Sequence, residues 1–276
     1  MADPAQPPDS PPPEAAMPFL GPEFDLPPAT GALRSYVIAS TPRSGSMLLC
    51  DLLHATGRLG VPTEYFNQHD MIVPMARRLG LALPVGMGAY LRALVARRST
   101  GNGVFGAKMH FHQAWAAIDQ PAFRRYLAVS RFVWLRRRDV TAQAISLAIA
   151  TRTNAWFRLR GQAEGAEAGD AGDEVDDAVD IGALFDATGR IRAENDFWRG
   201  FFQVNGIRPV EIVYEDLLAA PGAAVAAVAR LVGVDPGPLP GLEQSRFVAQ
   251  AAGRSARWRQ GLATMLRVVE NGAPRG

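Results

Sequence analysis

The segment from Ser35 to Glu64 places the strongest constraint on how this 276-residue chain can fold. It begins with a short apolar run, YVIA, whose length and β-branched content predict a buried strand. A loop of small residues, STPRSGS, follows, and the apolar-periodic run after it predicts a helix that stops at Gly57. A strand, a tight loop and a helix in this order direct backbone N–H groups and a helix N-terminus at an anion.

The side chains of this loop favour phosphate or sulfate as the anion. Arg43 adds a positive charge and a planar set of donors, and Ser44 and Ser46 add hydroxyl donors. The phosphate loop of ATP-binding proteins, GxxxxGK[ST], is not matched, because its first glycine is missing and no lysine follows Gly45. The dinucleotide pattern GxGxxG is also absent from this loop. Taken alone, the loop leaves open an ordinary strand-to-helix turn.

A second core strand is predicted in the segment from Gly103 to Gln113, where it runs into a loop. Lys108, the only lysine of the chain, lies near the end of this strand and is a suitable charge partner for the anion loop, the alternative being a surface lysine. His110 and His112 alternate as metal ligands can, but no third ligand lies at a recognisable spacing, so no metal is predicted.

A third strand is predicted in RFVWLRRRD, which ends in three arginines, among them Arg137. Asp139 is a good N-cap for a helix predicted over residues 140–156, and Ser146 lies on that helix. Cations at a strand end followed by a hydroxyl on the next helix predict a second anion site. The alternative is a set of surface arginines beside an unrelated serine.

Several of these motifs together resemble sulfotransferases. TPRSGSMLL is similar to their 5′-phosphosulfate loop, and the run from Tyr36 to Phe66 resembles the bacterial trehalose 2-sulfotransferase family. The patterns GxKxxxxQ, DVxxQAxS and YEDL also resemble those of the family. Two positions depart from it: Met47 stands where the family has Thr, and Ala252 where it has Asp.

The resemblance implies a sulfotransferase that depends on 3′-phosphoadenosine 5′-phosphosulfate (PAPS). It also implies a carbohydrate or glycolipid acceptor and a homodimer. It implies an α/β fold of the sulfotransferase type, and the alternation of strands and helices also predicts a mainly parallel sheet with helices on both faces. Glu64, Arg43 and Lys108 are the implied catalytic residues. The implied donor-binding residues are Pro42, Arg43, Ser44, Gly45, Ser46, Met47, Arg137 and Ser146.

Glu64 is the general base that the resemblance implies, and it lies in the context PTEYF. We expect Pro62 to stiffen this segment, and Tyr65 and Phe66 to desolvate the carboxylate partly and raise its pKa. The alternative is a loop glutamate in solvent.

Composition divides the chain into a tail and a folded part. Residues 1–30 hold ten of the 21 prolines and predict a disordered tail. Residues 31–276 are predicted to form a single domain with a flexible acidic insertion near 161–180. Arg97 and Arg98 end a predicted helix and are expected on its solvated face.

Charge and hydropathy exclude several other classes of protein. A net charge of +2 predicts no nucleic-acid partner, and no apolar run is long enough to predict a membrane span. The single cysteine, Cys50, excludes an intramolecular disulfide and is typical of the cytoplasm.

Two other functions are left open. A small-molecule kinase would need a phosphate-loop lysine and a magnesium-binding carboxylate at a strand end, and the sequence shows neither. A non-catalytic nucleotide-binding protein would not need Glu64.

Overall fold

Four parallel strands form the sheet of the protein, in the order β2-β1-β3-β4. The computed structural model describes residues 18–161, 180–248, 256 and 258–260. The strands are β1 (Arg34–Ser40), β2 (Val104–His110), β3 (Arg131–Arg136) and β4 (Val210–Val213). The three predicted strands described above are therefore confirmed.

Helices connect the strands. They are α1 (Ser46–Ala55), α2 (Ile72–Arg78), α3 (Met87–Arg98), α4 (Phe111–Ala117), α5 (Pro121–Val129), α6 (Val140–Thr153), α7 (Ile181–Val204), α8 (Tyr214–Ala219) and α9 (Pro221–Val232). Helix α6 is shorter than predicted because Asn154 adopts a left-handed conformation and ends it. Strand β2 runs directly into α4, where a loop was predicted. Within the described ranges, no helix is both long and apolar enough to cross a membrane.

Alternate residues of the central strand β1 pack into two separate apolar cores, one on each face of the sheet. Val37 and Ala39 join a core built with α3, α5 and the C-terminal half of α7. Tyr36 and Ile38 join a core built with α1 and α9. The predicted fold class, a parallel sheet with helices on both faces, is confirmed. Lys108 and His110 alternate in phase with Val104, which places them on the face that α1 covers.

The predicted disordered tail of residues 1–30 is too long. Phe19 and Phe24 are buried against the core that α1 covers. The guanidinium of Arg98, also buried, donates to the carbonyl of Phe19 at 2.9 Å. The expectation that Arg98 is solvated is therefore wrong, because the carboxylate of Asp25, at 3.1 Å, and backbone carbonyls pair with this cation inside the protein. Residues 1–17 lie outside the described residues.

Two other predictions also fall outside the described residues. They concern the acidic insertion, apart from its ends Gly161 and Asp180, and the departure at Ala252. The single domain from residue 31 onward stays a prediction.

Candidate functional site

The loop between β1 and α1 has the geometry of an anion-binding loop. Gly45 immediately precedes α1 and has φ +84°, a left-handed conformation that favours glycine. A Cβ at this position would lie 2.2 Å from Cδ2 of Tyr214, so the space also requires glycine. No side chain caps the start of α1. The first-turn N–H groups, which have no partner within a helix, therefore remain available to an anion.

Ser44 supplies an observation that fits this use. Its side chain is buried, and its hydroxyl has no hydrogen-bond partner among the described residues. Buried polar groups are normally paired, so a lone hydroxyl beside an uncapped helix start calls for an explanation. An oxygen of a bound phosphate or sulfate would accept its hydrogen bond. The residues of the loop thus fit the phosphosulfate group that the sequence predicts.

Arg43, Arg137 and Ser146 lie together at the mouth of the loop. Arg43 donates through Nε to Ser146 Oγ at 2.9 Å and through Nη1 to the carbonyl of Trp156. Arg137 Nη1 lies 3.5 Å from the carbonyl oxygen of Arg43. The guanidinium of Arg137 stacks over the ring of Tyr214, 4.7 Å from its centroid. The two anion sites predicted from the sequence therefore adjoin each other.

Gln143 fixes the loop from the outside, a role that the sequence analysis missed. Its Nε2 donates to Thr41 Oγ1 at 2.8 Å and to the carbonyl of Pro42 at 2.7 Å. The available signal was its position one turn before Ser146 on the same face of α6. Met47, in the first turn of α1, packs against the apolar core, where the family pattern would place a hydroxyl.

A second cluster forms around Lys108, which is only 1% exposed. The alternative of a surface lysine is therefore excluded. Its Nζ donates to Glu64 Oε1, and Gln113 Nε2 donates to Glu64 Oε2 at 2.6 Å. Lys108 and Gln113 therefore hold the carboxylate, and the Glu64 side chain remains 23% exposed, so solvent reaches it.

The environment of Glu64 lowers its pKa. Burial of the Glu64 carboxyl favours its neutral form. The positive charge of Lys108 and the hydrogen bonds from Lys108 and Gln113 outweigh this effect of burial and hold the pKa of Glu64 well below its ordinary value. The prediction that Tyr65 and Phe66 raise this pKa is wrong in direction. Both rings pack into the core of the sheet. Glu64 is therefore ionised throughout the neutral pH range.

His110 completes the cluster. Its Nε2 lies 3.1 Å from Lys108 Nζ, and its Nδ1 lies 3.2 Å from the carbonyl oxygen of Ser40. Burial and the charge of Lys108 lower the pKa of His110 to about 4, so the ring is neutral at pH 7. The sequence analysis suggested His110 as a metal ligand, which was rejected, or as a substitute base if Glu64 is not the base. The signal it missed is the spacing of two residues from Lys108, which puts both on one face of β2.

Arg43, Lys108 and Arg137 lie at the same edge of the sheet. All three lie toward the carboxyl ends of β1, β2 and β3, where ligands bind in open parallel sheets. Arg43 contacts Ser146, whereas Lys108 contacts Glu64. His110 links Lys108 to Ser40, the residue that precedes the loop of Arg43. Joint action of Arg43 and Lys108 on one oxygen stays a prediction.

The chain is similar to several known proteins. The family model for Stf0 sulphotransferase matches residues 35–261. A trehalose 2-sulfotransferase of Mycobacterium tuberculosis is 30% identical, with 82% of this chain and 93% of the relative covered. That of Mycolicibacterium smegmatis is 28% identical, with 81% and 92% covered. A solved structure of a sulfotransferase from Alicyclobacillus acidocaldarius covers 87% of this chain and 96% of its own, with 14% identity and a TM-score of 0.46.

Proposed function

This chain belongs to the Stf0 sulphotransferase family, and from that premise we propose that it transfers a sulfuryl group from PAPS to a hydroxyl of a carbohydrate or glycolipid. The observation that carries the proposal is the unpartnered hydroxyl of Ser44 in an uncapped loop that lies on the same face of the sheet as the Lys108–Glu64 pair. The donor supplies an activated sulfuryl group attached to a phosphate leaving group.

The anion loop would hold the phosphosulfate end of the donor. Ser44, Gly45 and Ser46 offer hydroxyl and backbone donors at the start of α1. Arg137 and Ser146 would hold the 3′-phosphate, because both contact Arg43 of the loop, Arg137 at its carbonyl and Ser146 at its Nε, and they offer a guanidinium and a hydroxyl. A 3′-phosphate site is what separates PAPS from ATP as a ligand.

Glu64 would act as the base that takes the proton of the acceptor hydroxyl. Its exposed side gives an acceptor access to the carboxylate, and the amide of Gln113 holds the carboxylate in orientation. The low pKa of Glu64 in the free protein is compatible with this role, because Lys108 is its chief partner. An anion bound by the remaining N–H of Lys108 would offset part of the positive charge that Glu64 experiences, which would raise the pKa of Glu64 toward that of a working base.

Lys108 and Arg43 would offset negative charge on the leaving group. Charge builds on the bridging oxygen as the sulfuryl group departs, so a cation there stabilises the transition state more than the ground state. Lys108 lies close enough to His110 and the end of β1 to serve in this way. Arg43 is anchored by Ser146 at the other side of the loop.

The acceptor is proposed from the relatives, since both are named trehalose 2-sulfotransferases. Trehalose is therefore the first acceptor to test, and glycolipids that contain it are the second. A cytoplasmic location and a homodimer remain predictions.

Thermal stabilisation by nucleotides tests the donor site. We expect adenosine 3′,5′-bisphosphate to raise the Tm by several degrees and AMP and ADP to raise it little, since stabilisation by a ligand grows with its concentration relative to Kd. Equal shifts with all three nucleotides would favour a kinase and contradict the proposal.

Transfer of labelled sulfuryl from PAPS to trehalose tests the reaction itself. Binding of the bisphosphate without transfer to any sugar or glycolipid would leave a non-catalytic nucleotide-binding protein. Transfer to other hydroxyl compounds but not to trehalose would reject trehalose as the acceptor and leave the proposed sulfuryl transfer intact.

A further inference from the structure

We propose that His110 is a positioning residue for Lys108. The ring of His110 holds the lysine ammonium so that one of its N–H groups remains for the sulfuryl donor, PAPS. This inference rests on the proposed function, because it assigns that remaining N–H to the leaving group of PAPS. It concerns a residue to which the family resemblance assigns no role.

The hydrogen bonds of Lys108 are the first step of the argument. An ammonium has three N–H groups and no acceptor. Within the described residues, Nζ makes two hydrogen bonds, to Glu64 Oε1 and to His110 Nε2. The side chain is buried, so these two partners define the direction of the third N–H.

His110 is itself fixed by contacts of its ring and of its backbone. Its Nδ1 lies 3.2 Å from both the carbonyl oxygen and the hydroxyl oxygen of Ser40, the last residue of β1. Its backbone N–H donates to Gln113 Oε1 at 2.9 Å. The indole of Trp198 donates to the same Ser40 carbonyl at 3.1 Å. The loop begins directly after Ser40, so His110 ties the position of Lys108 to the position of the anion loop.

The tautomer of His110 follows from these partners. Lys108 can only donate, so Nε2 must accept, and Nδ1 then carries the proton that it donates to the Ser40 carbonyl. The titratable groups around the ring are Lys108, Glu64, His112 and Glu194. Lys108 opposes protonation of the ring and the two carboxylates favour it, and burial adds to the effect of Lys108. The neutral ring that the arrangement needs is thus the form present at pH 7.

Two substitutions separate the two hydrogen bonds of the ring. His110→Asn keeps a donor near the position of Nδ1 and removes the acceptor that faces Lys108. His110→Gln places an amide oxygen near the position of Nε2 and can still accept from Lys108. A difference between these two variants therefore reports on the contact with Lys108.

NMR on the protein without any ligand gives the first measurement. Lys108 is the only lysine, so protein grown with lysine labelled by ¹⁵N at Nζ gives a single side-chain signal. We expect a slowly exchanging ammonium signal in the wild type and in His110→Gln, and loss of that signal by fast exchange in His110→Asn. An unchanged signal in His110→Asn overturns the inference, and so does a ring ¹⁵N spectrum that shows a protonated Nε2 at pH 7.

Kinetics give the second measurement. We expect His110→Asn to lower kcat by about tenfold to a hundredfold, the effect of one hydrogen bond to a charged group, with the KM for PAPS nearly unchanged. In a Lys108→Ala background the same change should cost nothing further, because His110 acts through Lys108. A purely structural role would give the same loss in both backgrounds and would overturn the inference.

The two measurements also separate this inference from the proposed function. Loss of the ammonium signal in His110→Asn, in a protein that transfers no sulfuryl group, would leave the contact with Lys108 established and reject the assignment of the donor. If the protein transfers sulfuryl groups but its Lys108 ammonium signal is unchanged in His110→Asn, the proposed function stands and the role of His110 is rejected.

Discussion

Glu64 and Lys108 show at the scale of single residues how one contact sets two chemical properties. The ion pair keeps the carboxylate charged by lowering its pKa, and it keeps a buried ammonium from lying unpaired in the protein. An anionic ligand on the remaining N–H of Lys108 would offset part of its charge, and the carboxylate would become more basic.

The first prediction at this scale concerns Glu64→Gln. The amide preserves shape but removes the proton acceptor, so we expect kcat to fall by about 10²- to 10⁴-fold with donor affinity nearly unchanged. Steady-state kinetics with PAPS and trehalose measure this. Glu194→Gln is the control, because that carboxylate is buried beside His112 without contacting Lys108. A Glu64→Gln enzyme within about threefold of wild type would remove Glu64 from the mechanism.

The second prediction at this scale concerns Arg137→Ala. We expect binding of adenosine 3′,5′-bisphosphate to weaken by about 2–3 kcal/mol, the cost of a lost charge-assisted hydrogen bond, and binding of AMP to change little. Calorimetric titration of both nucleotides measures the difference. Arg136→Ala is the matched control, since that neighbour pairs with Glu211. Equal losses for both nucleotides would show that Arg137 does not contact the 3′-phosphate.

At the scale of elements, the parallel register decides which side chains meet. Ser40 of β1 pairs with His110 of β2, and Ala39 pairs with Trp134 of β3, so the three strands end at nearly the same level. Strand alternation then turns Lys108 and His110 toward the face that carries α1. Strand ends and the start of one helix thus assemble the site.

The loop that joins β1 to α1 is the element most sensitive to substitution. We expect Gly45→Ala to weaken binding of adenosine 3′,5′-bisphosphate by tenfold or more, roughly the value of one charge-assisted hydrogen bond, because the new Cβ would displace Tyr214 or the loop. Isothermal calorimetry measures this loss.

Gly57→Ala separates strain from steric overlap. Gly57 also has a positive φ, +64°, but nothing lies within 4 Å of a Cβ there. We expect this variant to lose about 1–2 kcal/mol of stability from the left-handed backbone and to bind the nucleotide normally. Normal binding by Gly45→Ala would show that the loop does not hold the anion.

At the scale of the whole molecule, Asp51 connects segments that are distant in sequence. This buried carboxylate of α1 accepts from the Ser245 hydroxyl at 3.1 Å and from the backbone N–H of Arg246 at 2.6 Å. The guanidinium of Arg246 also bonds Asp51 and lies over the rings of Phe19 and Phe24. One carboxylate therefore holds the start of the described chain and a segment near its end against α1.

We expect Asp51→Asn to reduce the free energy of unfolding by about 3 kcal/mol. This is the lower end of the cost of removing one partner of a buried ion pair, because Arg246 is 44% exposed. Urea unfolding measures it. Asp235→Asn breaks an exposed pair with Arg58 and should cost less than about 1 kcal/mol. Equal, small losses in both variants would contradict a role for Asp51 in joining these segments.

Local chemistry in the sequence determined the strands, the anion loop and the helix start at Asp139, whose side chain accepts from Ala142 N at 2.8 Å. A strand period, a glycine in a tight loop and an N-cap act over a few residues, so a single sequence shows them directly. The alternation of strands and helices likewise predicted the parallel sheet with helices on both faces.

The tertiary structure alone decided the charges and partners within the site. The pKa of Glu64 depends on Lys108 and Gln113, more than 40 residues away, and Arg43 meets Ser146 across 103 positions. The burial of Arg98 required carbonyls from a proline-rich segment that composition had marked as disordered. Electrostatic interactions depend on distance in space and on burial, and neither follows from spacing along the chain. The sequence therefore indicated candidate residues such as Glu64, Lys108 and Arg43, and only the folded chain showed the contacts of Gln143 and His110 with them or with the loop.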